Sequence, residues 1–180
     1  MSKAKRLSVC GMLAAMYFAL SFLTVQTGEL KFTLTSLALV IAAFLFGLPE
    51  ASAVALVGEG LYQILLYPLS VTTPLWLLPP VLHAAVLWLF CRLFCGKTVP
   101  ERKPGRCYLV CLLASVVNSA ANTAALYADS KIFGYYEPHT VFGIAGLRVL
   151  VGLATAAAVS AAAILLLRLL RNRLTGGDIG

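Results

Sequence analysis

Charge is scarce in this 180-residue chain: 12% of its residues are Asp, Glu, Lys or Arg, where a soluble globular domain carries about 25%. So little charge excludes the ordinary surface of a water-soluble domain. Catalytic motifs are missing as well. No Walker A loop, no G-x-S-x-G elbow and no H-E-x-x-H helix occurs, so the chain is not expected to hydrolyse ATP. No internal symmetry is visible, which argues against a self-sufficient transporter built from repeats. No small-residue cleavage site follows the first apolar stretch, so a cleavable signal peptide is not expected.

Apolar residues fill the space. They make up 61% of the chain, and the mean hydropathy is +0.91. A helix needs about 20 apolar residues to cross about 30 Å of hydrocarbon. The expected fold is therefore an all-α membrane protein, with six transmembrane helices in one compact bundle over residues 1–180. The spans fall near 7–25, 32–46, 51–67, 73–94, 107–127 and 141–170, leaving no room for a separate soluble ATPase domain. The formal net charge of +7 is read through its placement rather than as nucleic-acid binding. Lys3, Lys5 and Arg6 precede span one. Arg92, Lys97, Arg102, Lys103 and Arg106 surround the link between spans four and five. Arg168, Arg171 and Arg173 close the chain, whereas the opposite links hold only Lys31 and Lys131. The positive-inside rule then puts both termini in the cytoplasm.

Polar side chains inside the spans are the candidates for chemistry. Glu59 interrupts an apolar run, and an intramembrane carboxylate is a functional-site hypothesis by default. Gln63 lies one turn on, on the same face. Asn118 and Asn122 share a face of span five, His83 follows the Pro79-Pro80 pair of span four, and Arg148 enters span six. Counted from the outer ends, Gln63, Trp76, Asn122 and Arg148 lie roughly 5–10 Å deep, and Glu59 and His83 roughly 10–15 Å. Four helices thus bring polar groups into one slab of the outer half, as a polar cavity open to the outside requires.

Such a cavity suits a planar, polar, anionic small molecule. Arg148 would hold a carboxylate or phosphate through its planar fork. Glu59 would accept two hydrogen bonds from an amino-substituted heterocycle. Gln63, Asn118 and Asn122 would add neutral donors and acceptors, and Trp76 would stack on the ring. Lys31 and Glu29 in the first outer link, and Glu137 and His139 in the second, would add contacts from loops long enough to act as lids. Each residue also has a plainer reading. Glu59 and Arg148 could form a register-fixing ion pair. The asparagines could join helices, and His83 could satisfy carbonyls freed by the prolines. Trp76 and the tyrosines could anchor at the interface, and the link residues could be ordinary solvated loop.

Two further patterns stand apart. Gly11, Ala15 and Ala19 recur every fourth residue on span one, a smooth strip for close helix packing, inside this bundle or against another protein. Cys91, Cys95, Cys107 and Cys111 form two C-x3-C pairs near Cys10. Zinc is conceivable there, but no histidine is near and the link between the pairs is basic, so packing is the expected role.

Taken together, these residues resemble the S component, the substrate-binding membrane subunit, of an energy-coupling factor (ECF) transporter. The resemblance rests on Ala15-Met-Tyr-Phe-Ala19 in the first helix, the run KFTLTSLALVIAAFLFG and the acidic, glycine-containing VGEGLYQ, and it extends over nearly the whole chain. It implies a bacterial plasma-membrane protein that is not an enzyme, carries no cofactor or metal, and binds a vitamin-like ligand in its outer half. It also implies that Gly11, Ala15 and Ala19 dock on a transmembrane coupling subunit that carries two cytoplasmic ATPases, and that the whole subunit topples during transport. The folate-type branch is the nearest, and folate would suit both Glu59 and Arg148; a queuosine precursor would suit Glu59 as well. A self-sufficient channel or secondary transporter, and an intramembrane enzyme using Glu59 and His83 as acid and base, are the readings of other classes.

Overall fold

Turn chemistry cuts the apolar sequence into helices. The computed structural model describes the backbone at residues 2–27, 30–67, 69–96, 104–134 and 136–174, and side chains at the same positions apart from 25–27, 30–31 and 170–174. The elements are α1 (Lys3–Phe22), β1 (Val25–Thr27), β2 (Leu30–Phe32), α2 (Ser36–Leu45), α3 (Leu48–Leu66), α4 (Thr73–Phe90), α5 (Pro104–Phe133), α6 (Pro138–Gly143) and α7 (Ala145–Leu174). Ser2 caps α1, its hydroxyl accepting from the Lys5 N–H at 3.3 Å. Gly47, at φ +106°, makes the tight α2–α3 turn, and Pro49 in the first turn of α3 fits where no intrahelical N–H is needed.

Each expected span corresponds to a helix, with α6 and α7 together standing for the sixth. The ends differ in instructive ways. Span two begins at Ser36 rather than 32, because β2 pairs antiparallel with β1, Val25 opposite Phe32 and Thr27 opposite Leu30. Span three begins at Leu48 rather than 51, since Pro49 starts the helix instead of separating it. Span four runs through Pro79 and Pro80 and ends in a π-helical turn, Cys91–Cys95, closed by Gly96 at φ +60°. Span five is longer than expected, Pro104–Phe133 in place of 107–127. Span six is broken near Ile144, between flanking glycines 143 and 146.

By length and composition, Thr73–Cys95, Pro104–Phe133 and Pro138–Leu169 are long and apolar enough to cross a membrane, and Ser36–Leu45 is a shorter apolar helix. Helices α1 and α3 fall outside that set, α1 because of Lys5 and Arg6 and α3 because of Glu50, Glu59 and Gln63.

Helix α2 forms the middle of the core, buried from Ala38 through Phe44. Val54, Leu87, Val110 and Leu167 from other helices belong to the same buried cluster. The apolar side chains left over face outward: Leu7, Met12, Ile64, Leu65, Leu93, Leu150, Leu165 and Leu169 are each more than half exposed. Such a surface suits hydrocarbon rather than water.

Polar ties fix the helix directions. Arg6 donates to the Phe46 carbonyl at 3.0 Å and pairs with Glu50 at 2.7 Å, so the start of α1 sits at the α2–α3 turn. Tyr17 meets Glu59 further along, so α1 and α3 run parallel. Arg106 donates to the Phe94 carbonyl at 2.9 Å, tying the start of α5 to the end of α4. Gly152 of α7 lies against Ser115 and Ser119 of α5. With short links throughout, the start of α1 and the end of α7 share one end of the bundle, and the β-hairpin lies at the other.

Candidate functional site

A cavity of about 300 Å³ opens between the helices in the hairpin half of the bundle. Its walls bring together Glu59 and Gln63 from α3, Trp76 and His83 from α4, Asn118 and Asn122 from α5, and Arg148 from α7. Seven of the eleven residues named from sequence as candidates for the site therefore surround one space. Lys31 is in β2, and its side chain lies outside the described residues, as does Glu29. Glu137 and His139 stand apart: they pair with each other at 3.2 Å on an exposed surface and do not line the cavity.

The Glu59 carboxylate is held from two sides. Tyr17 donates its phenolic O–H to one oxygen at 2.9 Å, and the Gln63 amide donates to the other at 2.8 Å. Glu59 thus pairs with Tyr17 and Gln63, not with Arg148. Each carboxylate oxygen can accept a second bond, so the group remains an acceptor toward the cavity. The i, i+4 spacing of Glu59 and Gln63 produces this contact directly. Arg148 donates to the Val141 carbonyl at 3.3 Å, a contact made possible by the break between α6 and α7. The Asn122 amide donates to the Asn118 carbonyl at 2.9 Å and to its side-chain oxygen at 3.2 Å.

Hydroxyl groups complete the lining and were not singled out from sequence. Ser21, Thr24, Thr33 and Thr35 contribute at the hairpin end, Ser115 and Ser119 on α5, and Thr155 on α7; Leu39, Val40 and Val159 supply apolar wall. Two of these stripes were legible. Ser115, Asn118, Ser119 and Asn122 fall on one helical face, and so do Arg148, Gly152 and Thr155. Tyr17 sits inside the Ala15–Ala19 motif but on the opposite face from its alanines.

That opposite face explains a glycine. A Cβ on Gly58 would lie 2.5 Å from the Tyr17 ring, so glycine is what lets α1 and α3 close until Tyr17 reaches Glu59. Gly58→Ala forces the ring aside. Overpacking of this kind destabilises by about 1–3 kcal/mol, and thermal unfolding in detergent should register it together with weaker ligand binding. Tyr17→Phe, which removes only the hydroxyl, should weaken binding with a smaller loss of stability. Equal, wild-type behaviour of both variants would contradict the contact.

On the outer side of α1, Gly11, Ala15 and Ala19 are exposed, while Leu13, Ala14, Tyr17 and Ser21 are buried. The strip therefore faces away from the bundle. At the far end, Cys95, Cys107 and Cys111 are buried and Cys10 and Cys91 partly buried, none of them in a disulfide. No group of three His, Cys, Asp or Glu side chains is arranged to hold a metal ion among the described residues.

Fold and cavity together define a helical membrane protein with a polar chamber in one half. No family model and no curated protein matches the chain. A solved structure does: it is described as the S component of a bacterial ECF transporter, with TM-score 0.60, 20% identity, and 97% of each chain covered. The chain has the fold of that S component from end to end.

Proposed function

We propose that this protein is the substrate-binding subunit of an ECF-type importer. It sits in the bacterial plasma membrane with both termini cytoplasmic, the basic end facing inward. One observation carries the reading: in a chain of this fold, seven intramembrane polar and aromatic residues from four helices surround a single cavity. Isolated structural polar groups have no reason to converge.

The ligand is a small amino-substituted heterocycle with an acidic group. Glu59 takes its donor edge, Trp76 stacks on the ring, the asparagines and hydroxyls take its remaining polar atoms, and Arg148 takes the acid. The volume, about 300 Å³, is at the lower bound of ligand sites and suits one fused ring system. A folate-type molecule places its ring at Glu59 and its acidic tail at Arg148; a queuosine precursor fits Glu59 equally. The chain has no motor of its own. It docks through Gly11, Ala15 and Ala19 on a transmembrane coupling subunit that carries two ATPases.

Uptake in cells tests this. Accumulation of a radiolabelled ligand is expected only when this chain, a coupling subunit and functional ATPases are all present. Undiminished uptake by this chain alone would identify a self-sufficient transporter instead.

A further inference from the structure

The α4 sequence Trp76-Leu77-Leu78-Pro79-Pro80 deprives one carbonyl of its partners. In an α-helix the C=O of residue i accepts from the N–H of residue i+4, and in a 3₁₀ turn from residue i+3. For Trp76 those residues are Pro80 and Pro79. Neither has an N–H. The neighbouring carbonyls keep a donor within the same rules: Leu75 has Leu78, and Leu77 has Val81. For Trp76 the first N–H ahead belongs to Val81, five residues on.

A carbonyl without a donor is strongly disfavoured in hydrocarbon and is tolerated where it borders a cavity. Trp76 and Pro80 both line the cavity, and so does His83, two turns from Trp76 on the same face. His83 is 5% exposed and has no hydrogen bond with another described residue. Helical side chains lean toward the helix N-terminus, so the imidazole closes toward the proline break. The proline break, His83 and Glu59 of the adjacent helix α3 thus border the same cavity.

We propose that the Trp76 carbonyl oxygen is a ligand-binding acceptor that determines specificity. An exocyclic amine has two N–H bonds. It gives one to Glu59, alongside a neighbouring ring N–H, and the second to Trp76, while His83 meets the next ring nitrogen. The proposal rests on the amino-heterocycle reading of the cavity. It implies that Pro79 and Pro80 are there to keep an acceptor open, rather than only to bend the helix.

The test uses 2-amino-4-oxopteridine and its 2-methylamino analogue, which keeps one amine N–H and replaces the other with a methyl. A site built to accept an N–H discriminates strongly against an analogue lacking it, so the wild type is expected to prefer the amine by about 10-fold or more. Pro80→Ala supplies the missing i+4 N–H and occupies the carbonyl, so the preference is expected to vanish. Pro79→Ala relieves the same bend, but its new N–H is the i+4 donor of the Leu75 carbonyl and meets Trp76 only in the poorer i+3 geometry, so the preference is expected to persist there while it vanishes in Pro80→Ala. Infrared spectra of protein labelled with ¹³C at the tryptophan carbonyls give a second readout, with Trp88, the other of the two tryptophans, as internal reference. The amine should shift the Trp76 band to lower wavenumber in the wild type and leave it unmoved in Pro80→Ala. An undiminished preference in Pro80→Ala, or a bound amine that leaves the wild-type band in place, overturns the proposal while the cavity stands. Failure of the wild type to bind either pteridine overturns the amino-heterocycle reading, and this proposal with it.

Discussion

Glu59→Ala is expected to lower ligand affinity at least 10-fold, with helix content unchanged by circular dichroism. The carboxylate is the acceptor around which Tyr17 and Gln63 are arranged. Without it, the ligand's N–H edge enters a site with no partner, and an unmatched buried donor costs about 1–3 kcal/mol. Since about 1.4 kcal/mol is a factor of ten, the lower part of that range already approaches the stated effect, and loss of a charge-assisted contact extends it. The bundle survives because the substitution leaves the apolar core and the α1–α3 contact at Gly58 in place. Arg148→Ala should weaken binding to a similar degree, and most for ligands carrying an acid. Isothermal titration in detergent measures both. Wild-type affinity in both variants would mean that the ligand is held elsewhere.

The second large effect concerns the outside of α1. Ala15→Trp or Ala19→Trp should abolish uptake and spare binding. Both alanines are exposed while Tyr17 between them points inward, so an indole added at either position projects away from the cavity. It would leave the core in place and hold a partner helix off by the width of a ring, on a strip whose value lies in close backbone approach. Uptake and binding assayed on the same variants separate the two roles. Normal uptake in either variant would remove α1 as the docking surface.

Much of this architecture was legible because the membrane simplifies the reading. Length and apolarity mark the spans, and the exposed leucines of the surface are what a bilayer-facing bundle requires. Intramembrane polar residues stand out against that background, which is why Glu59, Gln63, His83, Asn118, Asn122 and Arg148 could be named without coordinates. What stayed hidden depended on weaker signals. The hairpin Val25–Phe32 reads as loop, because three-residue strands carry no period of their own. The break at Ile144 was lost inside a long apolar run, although glycines flank it. Tyr17 was masked by its own motif: the small residues on either side drew attention to the wrong face of α1. Serine and threonine hydroxyls escaped because they bond readily to their own helix, as Thr155 does to the Val151 carbonyl at 2.8 Å, so their presence in an apolar helix is not by itself a sign of a pocket.

The central claim, that side chains from α3, α4, α5 and α7 grip one small molecule, is tested most directly by native mass spectrometry of protein purified from bacterial membranes. The wild type is expected to carry one small-molecule adduct of constant mass, absent from the Glu59→Ala, Arg148→Ala double variant purified in parallel. Retention of the same adduct at the same occupancy by the double variant would contradict the account.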